Sequence, residues 1–159
     1  MVKQTEPTTE FLAQKRIAVA GVSRTPGGSH GANIVYTSLK KAGYEVFPVN
    51  PNADEVEGDR CYHDIRSIPG GVDAVVVGTA PAQSVDVVRE CAEQGITRAW
   101  LHRSFGSGSV SEDAITVGRE RGVNVIAGGC PLMFVQGADI GHRCMRLVLN
   151  LTRGLPKSA

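Results

Sequence analysis

The chain has 159 residues, 42% of them hydrophobic, and its 17 Lys and Arg stand against 16 Asp and Glu, for a formal net charge of +1. That length fits one domain with a sizeable core, and the charge balance argues against a dedicated nucleic-acid binder, which carries a strongly basic face. No apolar run approaches the roughly 18 residues of a membrane span, and the polar residues 1–10 lack the apolar centre of a signal peptide, so the expected setting is cytoplasmic, away from any membrane.

Residues 1–10 read as a flexible tail, 11–152 as one domain and 153–159 as a second tail. Phe11 and Leu12 begin a short helix beneath the sheet. "RIAVAGV" (residues 16–22) is a short β-branched apolar run, the pattern of a buried strand. "SHGANIVYTSLKKAG" (29–43) follows as a helix, with Ser29 as its N-cap and Gly43 as its stop. Ile34, Val35, Leu39 and Ala42 are expected on its inner face. "YEVFPVN" (44–50) is the second strand. An irregular stretch, 52–71, carries one short helix around 64–68, and "DAVVVGT" (73–79) is the third strand.

A helix over 82–95 turns Val85, Val88 and Ala92 inward, and "RAWLH" (98–102) is the fourth strand. The next helix, 109–122, opens on Ser109 and Glu112 at capping-box spacing. "VNVIAGG" (123–129) is the fifth strand. A last helix, 139–151, carries Ile140, Cys144, Leu147, Val148 and Leu151 on one side.

Strands alternating with helices, the strands apolar throughout, predict a parallel sheet covered on both faces. The fold class is therefore α/β: a single Rossmann-like, doubly wound domain with a five-stranded parallel sheet. The expected strand order is 3-2-1-4-5. Ligands of such sheets bind beyond the carboxyl ends of the strands, where the order reverses. The loops that face that point carry Gly21, Ser23, Arg24, Pro26 and Ser29 after the first strand. Asn50 and Pro51 follow the second, Gly78, Thr79 and Pro81 the third, His102 and Arg103 the fourth, and Cys130 the fifth.

"AGVSRTPGGSHGANI" (20–34) is rich in Gly and Ser and has no acid. Small residues let backbone amides approach a ligand, and a following helix turns its positive end toward an anion. The loop therefore reads as a phosphate cradle. It lacks the G-x-G-x-x-G fingerprint, and the second strand ends in Asn50 rather than the acid that holds a free ribose diol. The missing acid permits a phosphorylated ribose, as in NADP or coenzyme A. Arg24, Lys40 and Lys41 lie near in sequence, although the two lysines also suit the solvated end of a helix.

The segment from Ala20 to Tyr62 resembles the start of the stand-alone CoA-binding proteins. These are similar to the CoA-binding domain at the N-terminus of the succinyl-CoA synthetase alpha chain. Gly21, Ser23, Pro26, Ser29, Val49, Asn50, Pro51, Gly58 and Tyr62 carry the likeness, and Cys130 with Pro131 matches a closing Cys-Pro. The likeness spans residues 13–135. It implies coenzyme A or acyl-CoA as the ligand. The resemblance puts the diphosphate at 23–29, the adenosine end near Asn50 and the pantetheine arm along 78–81. Gly27 and Gly28 stand where the family has an Arg or Lys before the helix-start Ser.

The four cysteines form no C-x-x-C pair, so neither a zinc site nor a disulfide framework is expected. Cys130 stands on the ligand side, either as a thiol that meets the CoA sulfur or as a buried packing residue. His102 is either a general base or a group that holds its loop. His142 and Cys144 are two residues apart on one helix and face different ways, so no metal site is expected. Trp100 reads as core and Phe105 as a lid residue. Three functions remain open. The first is non-catalytic CoA binding, as a carrier or a sensor. The second is an enzyme of acyl-CoA chemistry that uses Cys130 or His102. The third is an NADP-binding module. The last helix, with Arg143 and Arg146 on its outer face, reads as an ordinary surface helix or as a face that docks a protein partner or pairs subunits into a homo-oligomer.

Overall fold

A computed structural model describes residues 6–25, 31–103, 108–135 and 157–158. In chain order the elements are α1 (Glu6–Leu12), β1 (Arg16–Ala20), α2 (Gly31–Lys41), β2 (Glu45–Val49), β3 (Glu55–Val56) and β4 (Asp59–Arg60). There follow β5 (Ala74–Val77), α3 (Pro81–Glu93), β6 (Arg98–Leu101), α4 (Glu112–Arg121), β7 (Asn124–Ala127), a 3-10 turn over Pro131–Met133, and β8 (Lys157–Ser158). The predicted helix over 139–151 lies outside the described residues, as do Pro26, Ser29, Phe105, His142 and Cys144. α1 starts inside the stretch read as the first tail, and β8 lies inside the second.

Five parallel strands form the sheet in the order β2-β1-β5-β6-β7, and β8 adds antiparallel to β7. The parallel α/β sheet is as expected, but its order is 2-1-3-4-5 rather than 3-2-1-4-5. The third strand, β5, pairs with β1 (Ile17 opposite Ala74) on the side away from β2. Pro48 supplies the physical reason. It has no amide hydrogen to donate, and such a strand belongs at a sheet edge. The outer edge of β2 is instead covered by the chain near Tyr62, whose N–H bonds the Pro48 carbonyl at 2.9 Å.

Alternation along the strands divides the core in two. Ile17, Val19, Val76, Trp100 and Ile126 face α1 and α2 with Phe11, Val35, Tyr36 and Leu39. Ala18, Ala20, Val75, Val77, Leu101 and Val125 face α3 and α4 with Val88, Cys91, Ala114 and Ile115. Period-two strands with both faces buried are what a doubly wound sheet requires.

Three local readings are corrected. The inner face of α2 is Ala32, Val35, Tyr36 and Leu39, with Asn33 also buried, whereas Ile34 and Ala42 are exposed. The buried stripe is therefore rotated from the one expected, because Tyr36 turns inward to reach Asp59 at 2.5 Å. α4 is capped by Ser111, whose side chain accepts the Ala114 N–H, and not by Ser109. Ser109 is itself buried, and its carbonyl is bonded by the Ser84 hydroxyl at 2.8 Å. Residues 64–68 form a turn held by Asp64 rather than a helix, with the Ser67 N–H on its carboxylate at 2.8 Å.

Candidate functional site

The order reverses at β1, and ligands of such sheets bind where it reverses, so the candidate site is the region between the loops after β1 and β5. Gly21 has φ +89°, and a Cβ there would fall 2.5 Å from the Gly78 carbonyl carbon. A Cβ at Gly78 would in turn fall 2.7 Å from that of Ala32. Two glycines thus let the loops and the first turn of α2 close on one another.

The loop after β1 is held by two asparagines. Asn50, at the end of β2, donates to the Val22 carbonyl at 2.7 Å, and its own Oδ1 accepts from Asn52. Asn33, on α2, accepts the Ser23 N–H at 2.6 Å and donates to the Ser23 carbonyl at 2.9 Å. Its second N–H donates to Glu57 at 2.9 Å. The Thr25 N–H bonds the Ser23 hydroxyl, and the Gly21 N–H bonds the Val49 carbonyl. Among the described residues, the amides of Val22 and Arg24 meet no acceptor. Arg24 itself is exposed, as is Pro51 beside Asn50.

After β5, Thr79 shares a hydrogen bond with Ser84 at 3.1 Å, and Pro81 opens α3 at its first position. After β6, the His102 ring lies against the start of α2, where a Cβ at Gly31 would meet it at 2.9 Å. Arg103 pairs with Gly129, and its guanidinium lies over Gly128. After β7, Cys130 is 2% exposed and belongs to the core with Trp100 and Met133. Trp100 is fully buried and donates from Nε1 to the Gly128 carbonyl at 2.9 Å. Burial pushes the Cys61 thiol above its ordinary value and the Cys91 thiol to about 12. Lys40 does not serve the candidate site, because it pairs with Asp59.

The sequence pattern of the family described as the CoA binding domain matches residues 15–136. This chain belongs to that family. The CoA-binding domain is 34% identical over 116 residues to the uncharacterized protein YneT of Bacillus subtilis, covering 73% of the chain and 82% of that protein. It is 44% identical over 93 residues to an ADP-forming acetate–CoA ligase II of Archaeoglobus fulgidus, covering 57% of the chain. It spans only 13% of that ligase's length. The solved structure of a hypothetical protein from Pyrococcus horikoshii OT3 superposes with a TM-score of 0.71 at 30% identity, over 79% of this chain and 85% of that one.

The donors after β1 and the guanidinium over Gly128 have the chemistry of a candidate anion site. The Val22 and Arg24 amides, the Arg24 guanidinium and the Arg103 guanidinium are all donors, and donors of this kind hold phosphates. No acid ends β2. The hairpin of β3 and β4 does bring the Glu57 carboxylate to the loop, bonded to Asn33. Asn33, Glu57 and Ser84 were not singled out from sequence. Asn33 carried no signal in the sequence, since its burial and its reach to Ser23 across ten residues appear only in the fold. Glu57 had none, since it reaches Asn33 across 24 residues, nor had the bond of Ser84 to the Ser109 carbonyl across 25.

A cavity of about 680 Å³ lies elsewhere, beside the amino ends of β1 and β2, lined in part by Thr8, Leu12, Lys15, Gly43, Tyr44 and Phe134. Among the described residues, no group of three His, Cys, Asp or Glu is placed to hold a metal ion, and no helix is long and apolar enough to cross a membrane.

Proposed function

We propose that this chain binds coenzyme A without carrying out chemistry on it, as a carrier or sensor of CoA or its thioesters in the cytoplasm. Residues 11–152 act as the binding unit. The loop from Gly21 to Ser29, including Pro26, takes the diphosphate. Arg24 and Arg103 supply charge, Asn50 and Pro51 border the adenosine end, and Gly78, Thr79 and Pro81 border the pantetheine arm.

The observation that carries the reading is the loop after β1. Its carbonyls at Val22 and Ser23 are bonded by Asn50 and Asn33 from different sides, while the Val22 and Arg24 amides meet no protein acceptor among the described residues. The burial of Cys130 supports a packing role for that thiol rather than a nucleophilic one, since thiolate chemistry needs an accessible sulfur. The contact of His102 with the start of α2 supports a role in holding its loop.

Titration calorimetry of the full chain with CoA, dephospho-CoA, NADP and NAD tests this. The expected result is measurable binding of CoA and weaker binding of NAD. Failure to bind CoA, or tighter binding of NAD or NADP, overturns it. Turnover of an acyl-CoA that is lost in Cys130→Ser or His102→Ala would replace it with the enzymatic reading.

A further inference from the structure

We infer that Asn33, oriented by Glu57, is a positioning residue for the ligand's diphosphate; the inference rests on the CoA reading of the loop after β1. The peptide joining Ser23 and Arg24 is trans. In a trans peptide the carbonyl and the amide hydrogen point in opposite directions. Asn33 Nδ2 holds the Ser23 carbonyl inward at 2.9 Å, so the Arg24 N–H is turned outward. The Ser23 N–H, by contrast, is consumed by Asn33 Oδ1 at 2.6 Å. Asn33 therefore selects which amide of the loop is offered to an anion.

That selection requires one orientation of the Asn33 amide. Flipped, its oxygen would face the Ser23 carbonyl and the Glu57 carboxylate, three acceptors with no donor between them. Glu57 Oε1, 2.9 Å from Nδ2, disfavours the flip, and Asn33 is 2% exposed, so water does not compensate.

Glu57 holds this place under strain. It is the non-glycine residue with positive φ, +53°, among the described residues, and Gly58 follows at +80°. Both central positions of the two-residue turn between β3 and β4 are thus left-handed, a turn that favours Asn-Gly over Glu-Gly. A strained side chain that reaches a binding loop points to function rather than to turn stability.

The test uses the full chain with Glu57→Gly, Glu57→Gln and Asn33→Ala, read by CoA calorimetry, thermal melting and amide hydrogen exchange at Ser23. Gln keeps an acceptor for Asn33 Nδ2 and is expected to bind CoA within about twofold of wild type. Gly relieves the backbone strain and removes the acceptor. It is expected to melt at or above the wild-type temperature, to bind CoA roughly tenfold more weakly, the scale of one hydrogen bond, and to exchange the Ser23 amide faster. Asn33→Ala is expected to lose at least as much affinity.

Glu57→Gly binding CoA as tightly as wild type, or Glu57→Gln binding as weakly as Glu57→Gly, overturns the inference. So does unchanged Ser23 exchange in Glu57→Gly, which is readable whether or not CoA binds. Absence of CoA binding by the wild-type chain overturns instead the functional reading beneath it.

Discussion

Gly21 and Gly78 touch backbone to backbone at the point where the strand order reverses, and a single added methyl at Gly21 would lie 2.5 Å from the Gly78 carbonyl carbon. The contact joins the loop after β1 to the loop after β5. It makes the separation of those loops a property of two residues that have no side chain.

Gly21→Ala meets both this clash and a φ of +89°. The expected cost is about 2–4 kcal/mol of stability, since overpacking and a left-handed non-glycine residue add. Urea unfolding checks it, and CoA calorimetry on the folded fraction should show weakened binding. A variant as stable as wild type would contradict the close approach.

Phe11 packs edge-on against Trp100, ring centroids 5.3 Å apart, and is 1% exposed. α1 is therefore part of the core. Phe11→Ala should cost about 3–5 kcal/mol, the range for truncating a buried aromatic ring, and should shift the Trp100 emission. A loss below about 1 kcal/mol would mean that α1 is only loosely attached.

Asp59 receives the Tyr36 hydroxyl at 2.5 Å and pairs with Lys40. The hydrogen bond from Lys40, then that from Tyr36, holds its carboxyl below the usual range, while burial and the same acid push the Tyr36 phenol up. The depressed Asp59 contributes stability above the unfolded carboxylate value of about 3.9, and that share is lost as pH falls toward its folded value. The raised Tyr36 contributes stability that is present below about pH 10 and lost as pH rises beyond it. Asp59→Asn should flatten the acid limb of a melting-temperature profile and Tyr36→Phe the alkaline limb. Tyr36→Phe should cost about 1 kcal/mol at neutral pH. Unchanged limbs in both variants would show that this cluster does not govern them.

Arg24 is exposed beside the loop, and the Arg103 guanidinium lies over Gly128. Arg24→Ala and Arg103→Ala should each weaken CoA by roughly threefold to tenfold, about 0.7–1.4 kcal/mol. Each should also flatten the salt dependence of binding, because exposed charges are screened. Calorimetry at two ionic strengths checks this. An unchanged salt slope in both variants would remove these side chains from the site.

Much of this was legible along the chain. The all-apolar run of β5 announced a strand buried on both faces. Pro48 also carried the strand order: a residue without an amide hydrogen belongs on an edge, and weighing it would have placed β5 beside β1. The loop's internal bonding was less visible. Asn33 reaches Ser23 across ten residues, Glu57 reaches Asn33 across 24 and Asn50 reaches Val22 across 28. Cys130 follows a strand end and reads either as a thiol that meets the CoA sulfur or as a buried packing residue; at 2% exposure, in the core with Trp100 and Met133, its place agrees with the packing reading.

The amino-acid sequence alone determined the alternation of strands and helices and the parallel sheet, because these rest on periodicity and on turn residues that act within a few positions. Tertiary structure alone decided which amides of the first loop are spent and which face outward. That choice depends on Asn33 of α2 and Asn50 at the end of β2 bonding the loop backbone, with Glu57 of the β3–β4 hairpin bonded to Asn33, and short-range pattern does not encode their meeting.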